Sequence, residues 1–208
     1  MMTLYGLSGS RSTRVLWTLE ELGLRYQYVA ADLRHGRAGD RSLAELNPGM
    51  KVPVLQDEDL LLTESMAICL YLAKLDPERR LLPHPSPRQQ ARLLQWCSFS
   101  VTELEQPLWT HAKHTFALPK QWRVAGMDKT ARHEFSVALE VLEAGLPQDA
   151  CILGEQFTVA DILIGHTLAW ASSAGWLTGS HSLNTYLERL QDRPALARAH
   201  QREVADAA

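Results

Sequence analysis

Two short motifs in this chain have the residue types needed to hold a small peptide. One is Val52-Pro53 at the start of a short apolar strand, and the other is Glu64-Ser65 at the start of an amphipathic helix. A proline cannot donate to a sheet ladder and belongs at a strand start or edge, where the backbone of Val52 can pair with an extended peptide. The free N–H groups and dipole at a helix start favour anions near Glu64 and Ser65. We therefore expect a small-peptide site here.

The spacing of apolar residues predicts the elements that must position these motifs. A polar, glycine-containing stretch, residues 34–42, is expected to be a mobile loop or an irregular helix. The strands are predicted at residues 3–7, 25–31, 52–56 and 60–62, and the helices at residues 12–22 and 64–75. The order β-α-β, an irregular segment and β-β-α describes one compact α/β unit with a right-handed crossover.

The composition changes after residue 76. Residues 77–87 are rich in proline and polar residues, which is typical of a linker. No strand pattern follows, and helices are predicted at residues 88–117, 121–145, 159–174, 183–191 and 194–205. We therefore predict an α/β domain at 1–76, a linker at 77–87 and an all-helical domain at 88–208.

One local motif in the helical half has a well-defined structural meaning. Thr158 and Asp161 are spaced as a capping box, with Asp161 as the acid that reaches back to the backbone N–H of Thr158. Phe157 and Ile162 flank the box at the spacing of a hydrophobic staple. This pattern predicts an element of folding and stability rather than a catalytic group.

Composition excludes several classes of function. The 208 residues carry a net charge of −3 and are 46% hydrophobic, which predicts a soluble globular protein without a nucleic-acid or membrane partner. The three cysteines, Cys69, Cys97 and Cys151, have no spacing of a disulfide framework or zinc site, so we expect buried thiols and no metal. The first residues follow a strand pattern and show none of the features of a signal peptide, so we do not expect secretion. These features predict a cytoplasmic protein.

Four segments together resemble the cytosolic glutathione transferase superfamily over nearly the whole chain, and within it a bacterial, serine-type group. They span residues 4–24, 47–55, 62–68 and 154–162. Their order and spacing are far more specific than any segment alone. The resemblance implies an α/β thioredoxin-like N-terminal domain (β-α-β-α-β-β-α) followed by an all-α C-terminal domain.

The resemblance also implies how glutathione, as a co-substrate, would be held. Pro53 corresponds to the family's cis-proline, and the backbone of Val52 would pair with the cysteinyl unit. Glu64 would take the γ-glutamyl ammonium, and Ser65 with the helix N–H groups the γ-glutamyl carboxylate. Lys51 is a candidate partner for the glycyl carboxylate.

Two of these assignments have simpler alternatives. Glu64 could be a first-turn acid that complements the helix dipole, although Thr63 is available as the helix cap, which favours the ligand interpretation. Lys51 could be an ordinary solvated surface lysine.

Enzymes of this type take the group that stabilises the glutathione thiolate from the loop after the first strand. Here the loop carries several hydroxyls, and the usual serine or cysteine position of several classes falls on Gly9. The loop resembles that of a bacterial and fungal group with a Ser-Arg-Ser-x-Arg-Val pattern, which implies Ser10, the first serine, as the activator, followed by Ser12 and Ser8. Arg11 could bind the glutathione carboxylate or stabilise the thiolate. The alternative is that Ser10 or Ser12 only caps the first helix, and for Ser12 we expect capping to be the main role. The loop contains no cysteine, which argues against the branch that performs thiol–disulfide exchange.

The resemblance places a hydrophobic second substrate between the domains. Leu7, Trp109 and Phe116 could contact it, and His111 or His114 could polarise it. Aromatic residues at helical spacing are more often core, and single histidines usually lie on a solvated face.

The resulting hypothesis is a homodimeric glutathione S-transferase that acts on small hydrophobic electrophiles without a metal. One alternative is a glutathione-dependent peroxide or disulfide reductase. Another is a binding or regulatory protein that kept the fold and lost the chemistry, because fold alone does not establish activity.

Overall fold

A six-stranded sheet organises the first part of the chain in the computed structural model, which describes residues 1–148, 150–177 and 179–205. The strands are β1 (Met2–Gly6), β2 (Tyr26–Asp32), β3 (Arg37–Ala38), β4 (Arg41–Ser42), β5 (Val54–Asp57) and β6 (Leu60–Thr63). Their order is β4-β3-β2-β1-β5-β6. β1 and β2 are parallel, as their helical connection predicts, and the other neighbouring pairs are antiparallel.

The helices that accompany the sheet are α1 (Ser12–Leu22), α2 (Leu43–Leu46) and α3 (Ser65–Leu75). α1 begins and ends where the apolar spacing predicted. It ends because Gly23 adopts φ 61°, a left-handed conformation that glycine tolerates at a helix C-terminus. This is the thioredoxin-like architecture implied by the resemblance.

The expectation of a mobile loop or irregular helix at residues 34–42 is wrong. β3 and β4 form a short antiparallel hairpin there, in which Ala38 pairs with both Ala31 of β2 and Arg41 of β4. The hairpin leads directly into α2, which lies within the interval where the family resemblance implied a helix. Two-residue strands have too little apolar alternation to be detected, and they exist here only because they extend the sheet from β2.

The remaining chain forms helices, as predicted, with differences in detail. They are α4 (Pro87–Phe99), α5 (Glu105–Ala112), α6 (Met127–Gly145), α7 (Val159–Ser173), α8 (His181–Gln191) and α9 (Pro194–Ala205). The single helix predicted at 88–117 contains π-helical turns at Ser100–Leu104 and Lys113–Ala117. α6 begins at Met127 rather than residue 121, because Gly126 adopts φ 85° and precedes it in a left-handed conformation.

The capping box at the start of α7 is confirmed. The Thr158 backbone N–H donates to Asp161 Oδ2 over 2.8 Å, and the Thr158 hydroxyl is 2.9 Å from the same oxygen. Asp161 is fully buried and also accepts from the Ile152 N–H at 2.8 Å and the Tyr186 hydroxyl at 2.7 Å. Burial raises the pKa of the Asp161 carboxyl, while these hydrogen bonds favour its ionised form.

Two compact units account for the chain. The first contains Met1–Leu82 together with the chain from Arg189 onward, and the second is Pro83–Glu188. α9 therefore belongs to the first unit, although it is far from the sheet in sequence. Within the segment predicted as a linker, Leu81 and Leu82 are buried. The division into domains 1–76 and 88–208 stays a prediction.

The cysteines give a direct test of the packing. Cys69 and Cys97 are buried, as predicted, but Cys151 is half-buried rather than buried. Burial raises the pKa of the Cys69 thiol from 9.0 to about 11. At pH 8 we expect a thiol reagent to leave Cys69 and Cys97 unmodified in the native protein and to react with all three cysteines in denaturant. Rapid native modification of Cys69, located by peptide mass analysis, would contradict this packing.

The raised pKa of Cys69 also makes the stability of the protein depend on pH. The unfolded-state thiol loses its proton first, so the free energy of unfolding is expected to fall as pH rises from about 9 towards about 11. Below that interval both states hold the proton and Cys69 makes no pH-dependent contribution. A Cys69→Ala variant supplies the reference for this effect in denaturant titrations at several pH values.

Candidate active site

Strand register brings the two motifs that are predicted to bind a peptide, and the hydroxyl-rich loop, to one edge of the sheet. Tyr5 of β1 pairs with Val54 of β5, and Val54 pairs with Thr63 of β6, both in antiparallel fashion. The chain after Tyr5, before Val54 and after Thr63 therefore leaves the sheet on the same side. The three segments at this edge are residues 6–11, 50–53 and 64–65.

The Val52–Pro53 peptide bond is cis, as the resemblance implied. The predicted strand 52–56 begins at Val54 instead, because a proline cannot donate to the ladder. Val52 is half-buried, Pro53 is buried and Lys51 is exposed. The edge therefore presents the backbone of Val52 just before the first ladder residue.

Asn47 shapes the turn that leads to this edge. Its Oδ1 accepts the Gly49 N–H at 2.9 Å, and its Nδ2 donates to the Lys51 carbonyl over 2.8 Å. Met50 has a positive φ of 53° within the same turn. The turn was not predicted, although Asn-Pro-Gly at residues 47–49 is a sequence signal for it.

Glu64 occupies a conformation that L-residues rarely adopt. It is the N-cap position of α3, with φ 67° and ψ 109°, and its side chain is exposed. Thr63 is the last residue of β6, so the expectation that Thr63 caps this helix is wrong. A non-glycine residue in a sparsely populated region costs on the order of 1–3 kcal/mol and is typical of ligand-binding sites.

Ser65 follows as the first residue of α3 and is mostly buried. Its Oγ accepts a hydrogen bond from Arg14 Nη1 over 3.3 Å, and Arg14 itself is only 1% exposed. A buried guanidinium beside the start of α3 adds positive charge to the end of a helix that already attracts anions. The predicted carboxylate-binding residue is therefore next to a fixed cation.

The loop after β1 is held by its own serines. The Ser10 hydroxyl donates to the Leu7 carbonyl over 2.6 Å and accepts from the Ser12 backbone N–H at 3.1 Å. The Leu7 N–H donates to Ser12 Oγ over 3.2 Å. Arg11, which is half-buried, occupies the N-cap position of α1, so the interpretation of Ser12 as the helix cap is wrong.

Ser10 and Ser12, the two candidate serines, differ in burial. Ser12 is fully buried, whereas Ser10 is half-buried next to the exposed Ser8 and Gly9. Of the two, Ser10 is therefore the more accessible. The catalytic roles of Ser10, Arg11 and Ser12 stay predictions.

Two glycines explain how the loop fits. A Cβ on Gly6 would lie 2.8 Å from Tyr28 Cε2 and 2.9 Å from Ser12 Cβ, so Gly6 permits the close approach of α1 to β1. Gly9 has φ 69° and no heavy atom within 4 Å of such a Cβ. At the usual serine or cysteine position, this chain therefore has open space and a backbone that suits glycine.

In the helical unit, the predicted second-substrate residues have different surroundings. Trp109 is half-buried on α5, and Phe116 is 68% exposed. His114 Nδ1 accepts the Val124 N–H at 3.1 Å, which leaves Nε2 to carry the proton of the neutral ring. His111 Nδ1 is 2.7 Å from Asp128 Oδ1. The pocket role of Trp109, His114 and Phe116, and of Leu7 in the first unit, stays a prediction.

The described ranges contain no helix that is both long and apolar enough to cross a bilayer. In the same part of the chain, no group of three or more histidine, cysteine or acidic side chains is arranged to hold a metal ion.

Comparisons with known proteins identify the family of the chain. Residues 1–74 match the model of the glutathione S-transferase N-terminal domain, and residues 106–196 match that of the C-terminal domain. The chain is 30% identical over 200 residues to glutathione S-transferase GstA of Escherichia coli O157:H7, an alignment that covers 93% of this chain and 94% of GstA.

Solved structures show the same fold. A glutathione transferase from Methylococcus capsulatus superposes with a TM-score of 0.84 at 30% identity, covering 99% of this chain and 100% of that chain. The glutathione transferase URE2P6 from Phanerochaete chrysosporium, in complex with oxidized glutathione, has a TM-score of 0.84 at 27% identity, with 99% and 97% covered. The chain belongs to the cytosolic glutathione transferase superfamily.

Proposed function

We propose that this protein is a glutathione S-transferase that binds glutathione at the sheet edge described above. The observation that supports this most strongly is the set of three segments, 6–11, 50–53 and 64–65, placed at one edge by strand register. Val52 would pair with the cysteinyl backbone. Glu64 would bind the γ-glutamyl ammonium and Ser65 its carboxylate. Lys51 is exposed at the same edge and would bind the glycyl carboxylate.

In the proposed reaction, the glutathione thiol releases its proton to solvent and the thiolate sulfur forms a bond to an electrophilic carbon. In a substitution, the leaving group departs with its electron pair. In an addition, the neighbouring carbon takes a proton. The Ser10 hydroxyl would donate to the thiolate, which requires it to rotate away from the Leu7 carbonyl that it contacts at 2.6 Å.

Exposed apolar side chains support the proposal of a homodimer. Val137 and Val141 on α6 and Leu94 on α4 are each between 46% and 48% exposed. Leu75 at the end of α3 is 43% exposed. A symmetric partner would cover such residues. The cytoplasmic location proposed with it agrees with three free cysteines.

Calorimetric titration tests the ligand assignment. Glu64→Ala is expected to weaken glutathione binding about ten- to hundredfold, because a hydrogen bond to a charged group contributes about 1.5–3 kcal/mol. Glu58→Ala is the matched control: Glu58 is also exposed, also has a positive φ (54°) and lies in the β5–β6 turn. No glutathione binding by the wild-type protein would show that the ligand assignment is wrong.

Thiolate absorbance of bound glutathione tests the activator. Ser10→Ala is expected to raise the pKa of the bound thiol by about 1 unit, the equivalent of one hydrogen bond. The alternatives have distinct results. Glutathione binding without a thiolate signal in the wild type would indicate a carrier or regulatory protein. Turnover of peroxides but not of a chloronitrobenzene electrophile would indicate a reductase.

A further inference from the structure

The last helix of the chain packs along α1, the helix whose N-terminus carries the predicted activator loop. α9 runs antiparallel to α1, as two side-chain contacts from α9 and one from Arg193, the residue before it, show. Glu203 contacts Thr13, Arg198 contacts Glu20 at 2.8 Å, and Arg193 contacts Glu21 at 2.8 Å. The C-terminal end of α9 therefore lies beside the N-terminal end of α1.

Glu203 differs from the other acids in this set. It is only 3% exposed, and its Oε1 accepts a hydrogen bond from the Thr13 hydroxyl over 2.6 Å. It is in the last turn of α9, where the negative end of its own helix dipole disfavours an anion. Thr13 is in the first turn of α1, where the positive end of that helix favours one. The Glu203 side chain therefore contacts the helix end that favours an anion, although it belongs to a helix end that does not.

We infer that Glu203 sets the acidity of bound glutathione. This inference rests on the proposed function, in which the thiolate lies beside the loop that enters α1. A buried carboxylate and a thiolate would then share one positive helix end, and the first anion would reduce the stabilisation available to the second. Glu203 is thus a positioning and tuning residue that does not itself contact the substrate.

Other charged side chains near the N-terminus of α1 would also act on a thiolate bound there. His200 Nδ1 is 3.4 Å from Glu203 Oε2, and its side chain is 58% exposed. Arg11 precedes α1, and Arg14 lies in its first turn with Nη1 directed at Ser65 of α3. Glu64, the acid at the start of α3, is exposed and proposed to be paired with glutathione. Among the acids named here, Glu203 is the buried one.

Glu203→Gln removes the carboxylate charge and keeps an acceptor, because an amide oxygen can still accept a hydrogen bond from the Thr13 hydroxyl. The variant is expected to lower the pKa of the bound glutathione thiol by about 0.5 unit, which is about a threefold higher thiolate-to-thiol ratio at a given pH. The readout is thiolate absorbance against pH with glutathione bound. Glu20→Gln is the matched control. It removes a carboxylate near the C-terminal end of α1 and is expected to leave the pKa of the bound thiol unchanged.

A purely structural role for Glu203 makes a different prediction. It would change stability or glutathione affinity without lowering the thiol pKa, and an unmoved pKa in a folded, glutathione-bound Glu203→Gln protein would overturn the inference while leaving the proposed function intact. If Glu203→Gln fails to fold, Glu203→Met removes the same charge with an apolar side chain of similar length and is subject to the same test. Absence of glutathione binding by the wild type would overturn both the function and the inference.

Discussion

Asp161→Ala is expected to lower the free energy of unfolding by about 3–5 kcal/mol, because the carboxylate is buried and serves several donors at once. Its removal leaves the N–H groups of Ile152 and Thr158 and the hydroxyl of Tyr186 without their partner in a site that water does not reach. Each such orphaned donor costs about 1–3 kcal/mol. The measurement is urea denaturation followed by tryptophan fluorescence.

Two further variants calibrate this expectation. Tyr186→Phe removes one of the hydrogen bonds and should cost about 1 kcal/mol. Glu155→Ala removes an exposed acid from the same segment and should stay within about 0.5 kcal/mol of the wild type. An Asp161→Ala protein as stable as Glu155→Ala would show that the network around Asp161 does not hold α7 in place.

Gly6→Ala is expected to reduce both stability and thiolate formation. The added Cβ would lie 2.8 Å from Tyr28 Cε2 and 2.9 Å from Ser12 Cβ, closer than side chains normally approach. Overpacking of this kind costs about 1–3 kcal/mol. Because Ser12 moves with the start of α1, the loop that carries Ser10 should move as well, and the thiolate absorbance of bound glutathione should fall.

Gly9→Ala separates crowding from backbone preference. Gly9 has a positive φ of 69°, but nothing lies within 4 Å of a Cβ at that position. We expect it to cost about 1 kcal/mol through conformation alone, with thiolate formation less affected than in Gly6→Ala. Equal losses of stability and thiolate signal in the two variants would argue that the contact with Ser12 is unimportant.

Features encoded by neighbouring residues were predictable from the sequence. The bounds of α1 follow from its apolar spacing and from Gly23, and the capping box follows from Thr158 and Asp161 three positions apart. The other partners of Asp161 were not predicted, because Tyr186 is 25 positions away and reaches it only through packing. The local sequence thus identified the capping box, whereas the tertiary structure supplies the further hydrogen bonds that Asp161 accepts.

In the candidate site, too, some features follow from neighbouring residues and others only from tertiary packing. The segments that form it were found from their motifs, and the cis peptide before Pro53 followed from family resemblance rather than from residue spacing. The positive φ of Glu64 and the burial of Ser12 depend on how β6 meets α3 and how α1 meets β1. The contact of Thr13 with Glu203 joins residues 190 positions apart, a separation that no periodicity can reveal.

The membership of α9 in the first compact unit has a consequence for synthesis of the chain. A ribosome releases the sheet and α1 early, but the helix that covers α1 emerges only after the whole of Pro83–Glu188 has been translated. Until then, the face of α1 that packs against α9 is exposed to solvent and to chaperones. The packing around α1 is therefore expected to be complete only after α9 has been translated, later than in a domain of contiguous sequence.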